Sequence, residues 1–320
     1  MKSLQSRRCI VLGAGGFLGR NLCLRLAGRT GHLRAFGRHV TAPTVLEGLD
    51  WYSGDLNDPA SIADAIRGFH VVFHLINTTT PASANRDKAA DVRSNVIGTL
   101  QLLDACCSEG VEKLIFASSG GTIYGIPPVI PTHEDVACWP ITGYGVSKLA
   151  IERYLHLYEY MHNLDYRVLR VANPFGPFQT TTKNQGVIGA FIDRILTGLP
   201  IEVWGDGTVS RDFTYVDDVV EAFELAALHT GSERVFNIGS GIARSLNEII
   251  DTLAAITGSP ISIERRDGRL VDVPISLLDI QRAEQALGWR PRTEFIEGLR
   301  RTVNWARTQA NSDERFGLVA

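Results

Sequence analysis

The feature that most constrains the fold is a glycine-rich turn near the N-terminus, residues 13–19. A short apolar stretch, Arg8–Leu12, precedes this turn and has the length and composition of a buried strand. An apolar-faced helix is expected over residues 17–27. A strand, a glycine-rich turn and a helix in this order are typical of folds that bind a dinucleotide. A glycine-rich connection in an unrelated α/β fold is the alternative.

The residues of the turn have distinct expected roles. Gly13 permits the sharp turn, and Gly19 lets the helix pack closely on the strand. The N-terminus of the helix offers amide donors and a favourable dipole to a diphosphate. The residues expected beside that diphosphate are Gly15, Gly16, Phe17 and Leu18.

Further apolar strands are expected at residues 33–36, 71–75, 113–118, 166–172 and 235–238, and helices separate most of them. This alternation predicts a Rossmann-type α/β fold, a doubly wound parallel sheet with helices on both faces. We expect a dinucleotide-binding domain over residues 1–173. Residues 174–320 then form a smaller α/β substrate-binding lobe, from which about 210–240 return to the first domain.

Composition and charge narrow the class of protein. The chain has 320 residues and is 44% hydrophobic, enough for a large core. A net charge of −3 gives no electrostatic argument for binding nucleic acid or membranes. Five cysteines without metal-ligand spacing, and scattered histidines, predict no metal site. With neither a signal peptide nor a transmembrane run, we expect a cytoplasmic protein with reduced thiols.

Tyr144 and Lys148 are the strongest catalytic candidates. Residues four apart lie on one face of a helix, so the ammonium can approach the phenol. A phenol with a pKa of about 10 is a poor base at neutral pH. A nearby cation lowers that pKa and favours the phenolate. The pair therefore predicts a general base that acts on an alcohol beside a nicotinamide.

The expected adenosine side of the cofactor site departs from the usual pattern. NAD-selective sites generally have an acid at the end of the second strand, but Phe36 is followed by Gly37 and Arg38. Arg38, with Arg34, would meet the 2′-phosphate of NADP. Alternatively, Arg38 is solvated or stacks on the adenine of NAD, so both cofactors stay open.

A second contact with the adenosine is expected at the end of the next strand. There Asp55, beside Leu56, would accept a hydrogen bond from the adenine amino group. A plain turn at Gly54-Asp55 is the alternative.

Eight runs together identify the chain as similar to a known family. They lie at residues 13–19, 54–56, 72–75, 95–99, 118–125, 144–148, 170–176 and 204–218. The chain resembles the extended short-chain dehydrogenase/reductases, specifically their nucleotide-sugar epimerase/dehydratase branch, over essentially its whole length. The resemblance implies NAD or NADP as cofactor, with NAD slightly favoured, and a nucleotide-sugar substrate.

The resemblance also implies roles for single residues. Tyr144 is the base, and Lys148 orients the nicotinamide ribose and lowers the pKa of the tyrosine. Backbone near Leu75 and Ala172 lines the nicotinamide side. The nucleotide sugar is held by Asn173, with Arg211 and Arg269 on its diphosphate.

Two stretches near the expected pyranose are less typical of the family. Many relatives place Ser or Thr at the position of Gly120, and here Thr122, our preferred candidate, or Ser119 would supply the missing hydroxyl. The run 120–122 also lacks the acids of the 4,6-dehydratases, which argues against dehydration. Thr79, within 78–80, would contact the pyranose, or the segment simply caps a helix.

These observations lead to one leading hypothesis and two alternatives. The leading hypothesis is a 4-epimerase of a UDP-hexose or UDP-N-acetylhexosamine. The family resemblance also implies a role in polysaccharide biosynthesis. The second is an NADPH-dependent reductase of a nucleotide-linked 4-keto-6-deoxy sugar. The third, a non-catalytic dinucleotide sensor, does not explain the intact Tyr144–Lys148 pair. Apolar stripes are expected on 91–109 and on the helix from Tyr144. The family resemblance implies that they pair in a homodimer through a four-helix contact, and a helix buried inside one subunit is the alternative.

Overall fold

The computed structural model describes residues 3–179, 186–267 and 273–311. Its first half begins with strand β1 (Arg8–Leu12), helix α1 (Phe17–Leu26), β2 (His32–Gly37), β3 (Asp50–Ser53), α2 (Pro59–Ile66) and β4 (Val71–His74). It continues with α3 (Pro81–Arg86), α4 (Lys88–Asp91), a π-helical turn (Val92–Ile97), α5 (Gly98–Ser108), β5 (Lys113–Ser119), α6 (Gly143–His162) and β6 (Asp165–Val171).

The second half contains β7 (Asn173–Phe175), α7 (Val187–Leu196), β8 (Ile201–Trp204), β9 (Ser210–Tyr215), α8 (Val216–Leu228) and β10 (Val235–Ile238). It ends with β11 (Ala243–Ser245), α9 (Leu246–Thr257), β12 (Ile263–Arg266), β13 (Ile275–Ser276), a second π-helical turn (Ala283–Leu287) and α10 (Phe295–Asn311). Short 3₁₀ turns lie at Leu4–Ser6 and Thr44–Leu46.

Seven strands form one parallel sheet in the order β10-β6-β5-β4-β1-β2-β3. This is the doubly wound order of a Rossmann fold with one further strand, so the predicted fold class is confirmed. Two apolar cores cover the two faces of the sheet. Helices α1 and α8 contribute to one core, and α2, α5 and α6 contribute to the other.

The smaller elements of the second half pair with one another. β9 lies between β11 and β13 and also pairs with β7, while β8 pairs with β12. The chain returns to the main sheet through α8 and β10, whereas β9, which we had placed in the returning segment, belongs to the second sheet. The division of the chain into two domains at residue 173 stays a prediction.

Candidate active site

The strand order reverses between β1 and β4, and Gly13 lies at that point. Its φ of 89° is the left-handed conformation that glycine adopts without strain. A Cβ there would lie only 3.1 Å from the amide nitrogen of Ile76. The Gly13 amide donates to the carbonyl of Phe36 at 3.0 Å, which anchors the turn to β2. Ligands of open α/β sheets bind at this reversal, beyond the carboxyl ends of the strands.

The N-terminus of α1 differs from that of four other helices. α2, α3, α6 and α9 are capped by hydroxyl or carboxylate side chains that accept backbone hydrogen bonds, those of Asp58, Thr80, Thr142 and Ser245. At α1 the capping residue is Gly16, and no side chain caps the helix. Its first amides, beginning at Phe17 and Leu18, therefore have the arrangement that a diphosphate requires.

The glycines of the turn fit the roles expected for them. A Cβ on Gly19 would lie 2.1 Å from the carbonyl oxygen of Gly13, so only glycine lets α1 pack this closely. At Gly15 the nearest atoms, on His39 and Trp51, would be 3.7 Å away. The turn is therefore tight on its inner side and has space on its outer side, and the residues present fit a dinucleotide.

The end of β2 has no room for an acid, because Trp51 fills the space. A Cβ on Gly37 would meet the Trp51 ring at 2.6 Å, and the Trp51 indole nitrogen donates to the carbonyl of His39 at 3.0 Å. Arg38 is exposed just beyond. The suggestion that Arg34 joins it was wrong. The Arg34 guanidinium donates to Asp50 at 2.9 Å, which ties it to β3.

Asp55 follows β3 in a short polar turn. Its Oδ1 accepts hydrogen bonds from the backbone and side-chain nitrogens of Asn57, at 2.9 and 3.1 Å. This is the geometry of the plain turn that was the alternative. Leu56 is buried in the core. Contacts of these two residues with adenine stay predictions.

Helix α6 brings Tyr144 and Lys148 together, as their spacing predicts. Thr142 caps the helix, and the close fit of Gly145 against the Thr122 carbonyl fixes its first turn. The Lys148 ammonium lies 5.6 Å from the centre of the Tyr144 ring and 4.7 Å from that of Phe116. Lys148 is buried, and Tyr144 is half-buried.

The expected lowering of the Tyr144 pKa is not found. Burial, followed by the negative charge of Asp91, raises the pKa of Tyr144 to about 12. The Lys148 ammonium donates to the carbonyl of Ala117 at 2.8 Å, and it approaches the face of the phenol ring. Burial also lowers the pKa of Lys148 to about 8. Desolvation therefore outweighs the cation in this pair.

The missing hydroxyl at Gly120 has a steric cause. A Cβ there would lie 2.4 Å from a methyl carbon of Leu278 and 3.0 Å from the carbonyl oxygen of Arg170. The two candidates for the hydroxyl are adjacent, because Thr122 Oγ1 donates to Ser119 Oγ at 2.8 Å. Thr122 also lies against the start of α6 through its carbonyl. Both candidates are thus close to the Tyr144 end of the helix.

The candidates for nucleotide-sugar binding lie along the second sheet. Asn173 donates from Nδ2 to the carbonyl of Asp212 at 3.1 Å, which links β7 to β9. Arg211, the residue before Asp212 on β9, donates to the Val273 carbonyl at 2.6 Å. Arg269 lies outside the described residues. The diphosphate contacts of both arginines stay predictions.

Leu75 and Ala172 are the two candidates for the nicotinamide side of the site. The Leu75 amide donates to the Leu12 carbonyl at 3.0 Å, which places Leu75 at the strand-order reversal. The Ala172 amide donates to the Ile238 carbonyl at 2.8 Å. Their contacts with a nicotinamide stay predictions.

Thr79 has a different partner from the one expected. Its hydroxyl donates to Asp91 and accepts from Asn95 Nδ2 at 3.0 Å, so it faces a helix. Its neighbour Thr80 caps α3, as the alternative for this segment proposed. A contact between Thr79 and a pyranose stays a prediction.

Sequence reasoning missed three residues near this site: Asp91, Ser147 and Trp51. Asp91 is buried and accepts hydrogen bonds from Thr79, Asn95 and Ser147. Its position four residues before Asn95 on a helical stretch was the available signal. Ser147 and Trp51 gave no signal, because their partners are distant in sequence.

Two other kinds of feature, a membrane-spanning helix and a metal-binding cluster, are absent from the described ranges. No helix in residues 3–179, 186–267 and 273–311 has the length and apolarity needed to cross a membrane. Across these same ranges, no group of three or more His, Cys, Asp or Glu side chains could hold a metal ion.

Comparisons with known proteins agree with this geometry. The UDP-glucose 4-epimerase of Mycolicibacterium smegmatis is 34% identical over 315 residues, which cover 95% of this chain and 99% of that protein. The dTDP-4-dehydro-6-deoxyglucose reductase of Escherichia coli is 30% identical over 92% of this chain and 96% of the reductase.

A solved structure is similar over the same extent. The complex of Thermus thermophilus UDP-glucose 4-epimerase with NAD superposes with a TM-score of 0.87 at 33% identity. The match covers 94% of this chain and 99% of that one. The model of the NAD dependent epimerase/dehydratase family matches residues 9–239. The chain therefore belongs to the NAD-dependent epimerase/dehydratase family.

Proposed function

We propose that this protein is a nucleotide-sugar 4-epimerase that acts on a UDP-hexose or a UDP-N-acetylhexosamine. The observation that carries the proposal is the Tyr144–Lys148 pair on α6, in a fold whose glycine turn and uncapped α1 fit a dinucleotide. Relatives named as UDP-glucose 4-epimerases match almost the whole chain. They support both the reaction and the nucleotide-sugar class of substrate.

A bound NAD-type cofactor would supply a hydride acceptor that later returns the same hydride. The residues that would hold its diphosphate are the outer side of the turn and the first amides of α1. Lys148 retains donor capacity beyond its bond to Ala117, which suits a ribose hydroxyl. The burial of Lys148 limits the access of water to its ammonium.

The protein's own residues would handle the proton of the C4 hydroxyl. Tyr144 would accept that proton when C4 is oxidised and give it back after the ketone is reduced on its opposite face. Because the pKa of Tyr144 is about 12, the phenol is protonated at neutral pH before the ligands bind. Positive charge brought close to the ring favours the phenolate. Thr122 or Ser119 would donate to the same substrate oxygen.

Reduction from the opposite face requires the sugar to turn while its nucleotide stays bound. Arg211 is a suitable anchor, because a guanidinium can bind a diphosphate through two parallel hydrogen bonds. It lies on β9, which pairs with β7, β11 and β13 and is therefore supported on both sides. Asn173 and Arg269 would add to this anchor. The pyranose would be held by fewer contacts.

We propose NAD as the cofactor, since a relative similar over almost the whole chain was solved with it. The space behind Gly37 is filled by Trp51, so discrimination cannot come from an acid at that position. Arg38 beyond it leaves NADP as the alternative. Calorimetric measurement of the binding of each dinucleotide to the purified protein decides between NAD and NADP. Tighter binding of NADP would overturn this choice.

The second candidate function is reduction of a nucleotide-linked 4-keto-6-deoxy sugar with NADPH. The absence of an acid at Gly37 favours it, and a reductase is among the full-length relatives. Such an enzyme consumes one equivalent of added NADPH for each sugar reduced. An epimerase needs no added reductant, because its hydride returns to the substrate.

We also propose a homodimer through α5, α6 and the π-helical turn before α5. Large apolar side chains are exposed on the π-helical turn and on α6: Val92, Ile97, Tyr154, Leu157, Tyr160 and Met161. Exposure of this kind is typical of surfaces that a second subunit covers. Sedimentation should give a dimer for the wild type and a monomer for Leu157→Arg. A monomeric wild type would contradict the proposal.

The test of the function is direct. The purified protein is incubated with UDP-glucose, UDP-N-acetylglucosamine or UDP-glucuronate, with and without NAD, and the anomeric signals are followed by NMR. We expect one substrate to reach equilibrium with its C4 epimer, and no conversion by Tyr144→Phe. No conversion of any of these sugars, together with NADPH-dependent reduction of a 4-keto sugar, would establish the reductase.

A further inference from the structure

Asp91 is a buried carboxylate that the mechanism above does not use. It is the last residue of α4, and only 1% of its surface is exposed. A buried carboxylate is costly unless donors satisfy it. Two of its donors come from elements other than its own helical stretch: the Thr79 hydroxyl from the segment after β4, and the Ser147 hydroxyl from α6. Asn95 Nδ2 supplies the third bond at 2.9 Å.

Asn95 also binds Thr78, the residue before Thr79. Its Oδ1 accepts from the Thr78 amide at 3.0 Å and from the Thr78 hydroxyl at 3.2 Å. Asn95 lies in the π-helical turn, a form of helix that is rare and frequent at functional sites. Thr78 and Thr79 thus both form hydrogen bonds with the Asp91–Asn95 pair. The segment that follows β4 is held by side chains, without strand pairing.

We propose that Asp91 is a positioning residue that holds the segment 78–79 and the first turns of α6 in one fixed arrangement around the reacting sugar. Ser147 immediately precedes Lys148 and lies three residues after Tyr144, so its bond to Asp91 fixes the rotation of the catalytic turn. Thr79 fixes the segment that follows β4 against the same carboxylate. This inference rests on the proposed function for its substrate, but its geometry does not depend on which sugar binds.

The charge of Asp91 has a second consequence for the same turn. It raises the pKa of Tyr144, in opposition to the Lys148 ammonium that would favour the phenolate. The ionisable groups in the interior around this turn are Asp91 of α4, His74 of β4, Arg170 of β6, and Tyr144, Lys148 and Glu152 of α6. The neighbouring Arg86, Lys88 and Arg93 are exposed. Glu152 is paired with Arg170 at 2.7 Å. Burial keeps His74 neutral by lowering its pKa to about 3. Among these groups, Asp91 is the carboxylate whose charge raises the pKa of Tyr144, and the same charge favours the Lys148 ammonium.

The test uses Asp91→Asn, which is nearly isosteric and removes the charge. It retains one acceptor oxygen, and its amide nitrogen can donate to the Ser147 hydroxyl. The matched control is Asp87→Asn, which removes the same charge from an exposed helix cap four residues away. Asparagine caps helices as well as aspartate, so the control should fold normally. Each variant is also made with Tyr144→Phe, and the difference in tyrosinate absorbance between the two proteins reports the titration of Tyr144 alone.

We expect Asp91→Asn to shift the Tyr144 titration to a pH lower by about one unit, and Asp87→Asn to leave it in place. The acid limb of kcat/KM should move in the same direction. An unchanged titration in Asp91→Asn would overturn the charge effect. The titration needs no substrate, so its outcome is independent of whether the wild type proves to be an epimerase.

The positioning role is tested by Thr79→Val and Ser147→Ala, each of which removes one donor and keeps the carboxylate. We expect kcat to fall by about 3- to 30-fold in each, with the KM for the nucleotide sugar within about twofold. The kcat of the double variant should fall by no more than about the larger of the two single effects, because both hydrogen bonds hold the same arrangement. Additive losses, or losses confined to KM, would contradict the proposal. This pair also keeps the proposal testable should Asp91→Asn fail to fold.

Discussion

The cofactor side and the sugar-nucleotide side of this site are built in different ways. The cofactor side comes largely from one continuous run, residues 13–19, whose shape is determined by backbone geometry. The sugar-nucleotide side comes from Thr122, Asn173 and Arg211, which lie on separate elements. Asn173 and Arg211 are held by bonds to the distant residues Asp212 and Val273, and Thr122 bonds to Ser119, three residues earlier.

This difference teaches where each kind of specificity resides. A site made of backbone amides recognises a diphosphate and is insensitive to side-chain substitution, provided that its glycines remain. A site made of side chains on several elements can accept a new sugar by single substitutions. The four predictions below test this contrast, starting with the residue on which both sides converge.

Tyr144→Phe should have the largest effect, since Tyr144 serves both the cofactor and the sugar. Loss of the phenolic oxygen removes the general base, and we expect kcat to fall by about 10³-fold or more. Binding of UDP and of NAD, measured by calorimetry, should change by less than about twofold. A variant that retains a tenth of the activity, or that loses ligand binding, would show that Tyr144 has another role.

The second prediction separates the inner and outer sides of the glycine turn. In Gly19→Ala the new Cβ would lie 2.1 Å from the Gly13 carbonyl oxygen, so α1 must move away from the turn. We expect a loss of about 2 kcal/mol or more in the free energy of unfolding, measured in urea, together with lost NAD binding.

Gly15→Ala is the matched comparison for that variant. Its Cβ would have no neighbour closer than 3.7 Å, so stability should stay within about 0.5 kcal/mol of the wild type. NAD binding should nevertheless weaken, because the methyl group occupies the outer side where the diphosphate approaches. Equal stability losses in the two variants would contradict the assignment of inner and outer sides.

The third prediction concerns the sugar-nucleotide side alone. Arg211→Ala should raise the KM for the nucleotide sugar by about 10- to 100-fold, the value of a charge-assisted hydrogen bond, and leave kcat within about threefold. Arg266→Ala, which removes an exposed arginine paired with Glu264 at 2.9 Å, is the control. Equal effects of both substitutions would indicate a general electrostatic attraction, and would remove Arg211 from the site.

The smallest effect is expected on stability. Because burial lowers the pKa of Lys148 to about 8, the folded protein carries a desolvated ammonium below that pH. Lys148→Met should therefore raise the free energy of unfolding of the nucleotide-free protein at pH 7. The net gain, with the lost hydrogen bond to Ala117 taken into account, should be about 1 kcal/mol. The gain should shrink from about pH 8 towards pH 10.5, where the lysine of the unfolded chain also loses its proton. A constant gain across this range would contradict the pKa.

The same contrast explains what the sequence could predict. Arg8–Leu12 and Val235–Ile238 were predicted with the bounds observed, because apolar residues and nearby turn residues specify them locally. The glycine turn and the Tyr144–Lys148 pair are likewise local. Arg34 was misassigned, because its partner Asp50 lies on a neighbouring strand whose register is not visible in sequence.

Long-range packing also explains the other differences between the predictions and the structure. Leu278 fills the space beside Gly120, and Trp51 fills the space beside Gly37, from segments that are remote or on another strand. The pKa of Tyr144 was predicted in the wrong direction because burial and Asp91, which spacing alone does not reveal, outweigh Lys148. The sequence thus predicts the chemistry of the pair, and the structure is needed for its electrostatics.

The central claim is that one hydride leaves C4 and returns to C4 of the same sugar. Its most direct test is turnover of a UDP-hexose labelled with deuterium at C4, in ordinary water with catalytic NAD and no added reductant, followed by NMR. The account predicts that the C4 epimer forms and keeps the deuterium at C4, and that Tyr144→Phe forms none. Loss of the label to solvent, or product formation only with stoichiometric NADPH, would contradict it.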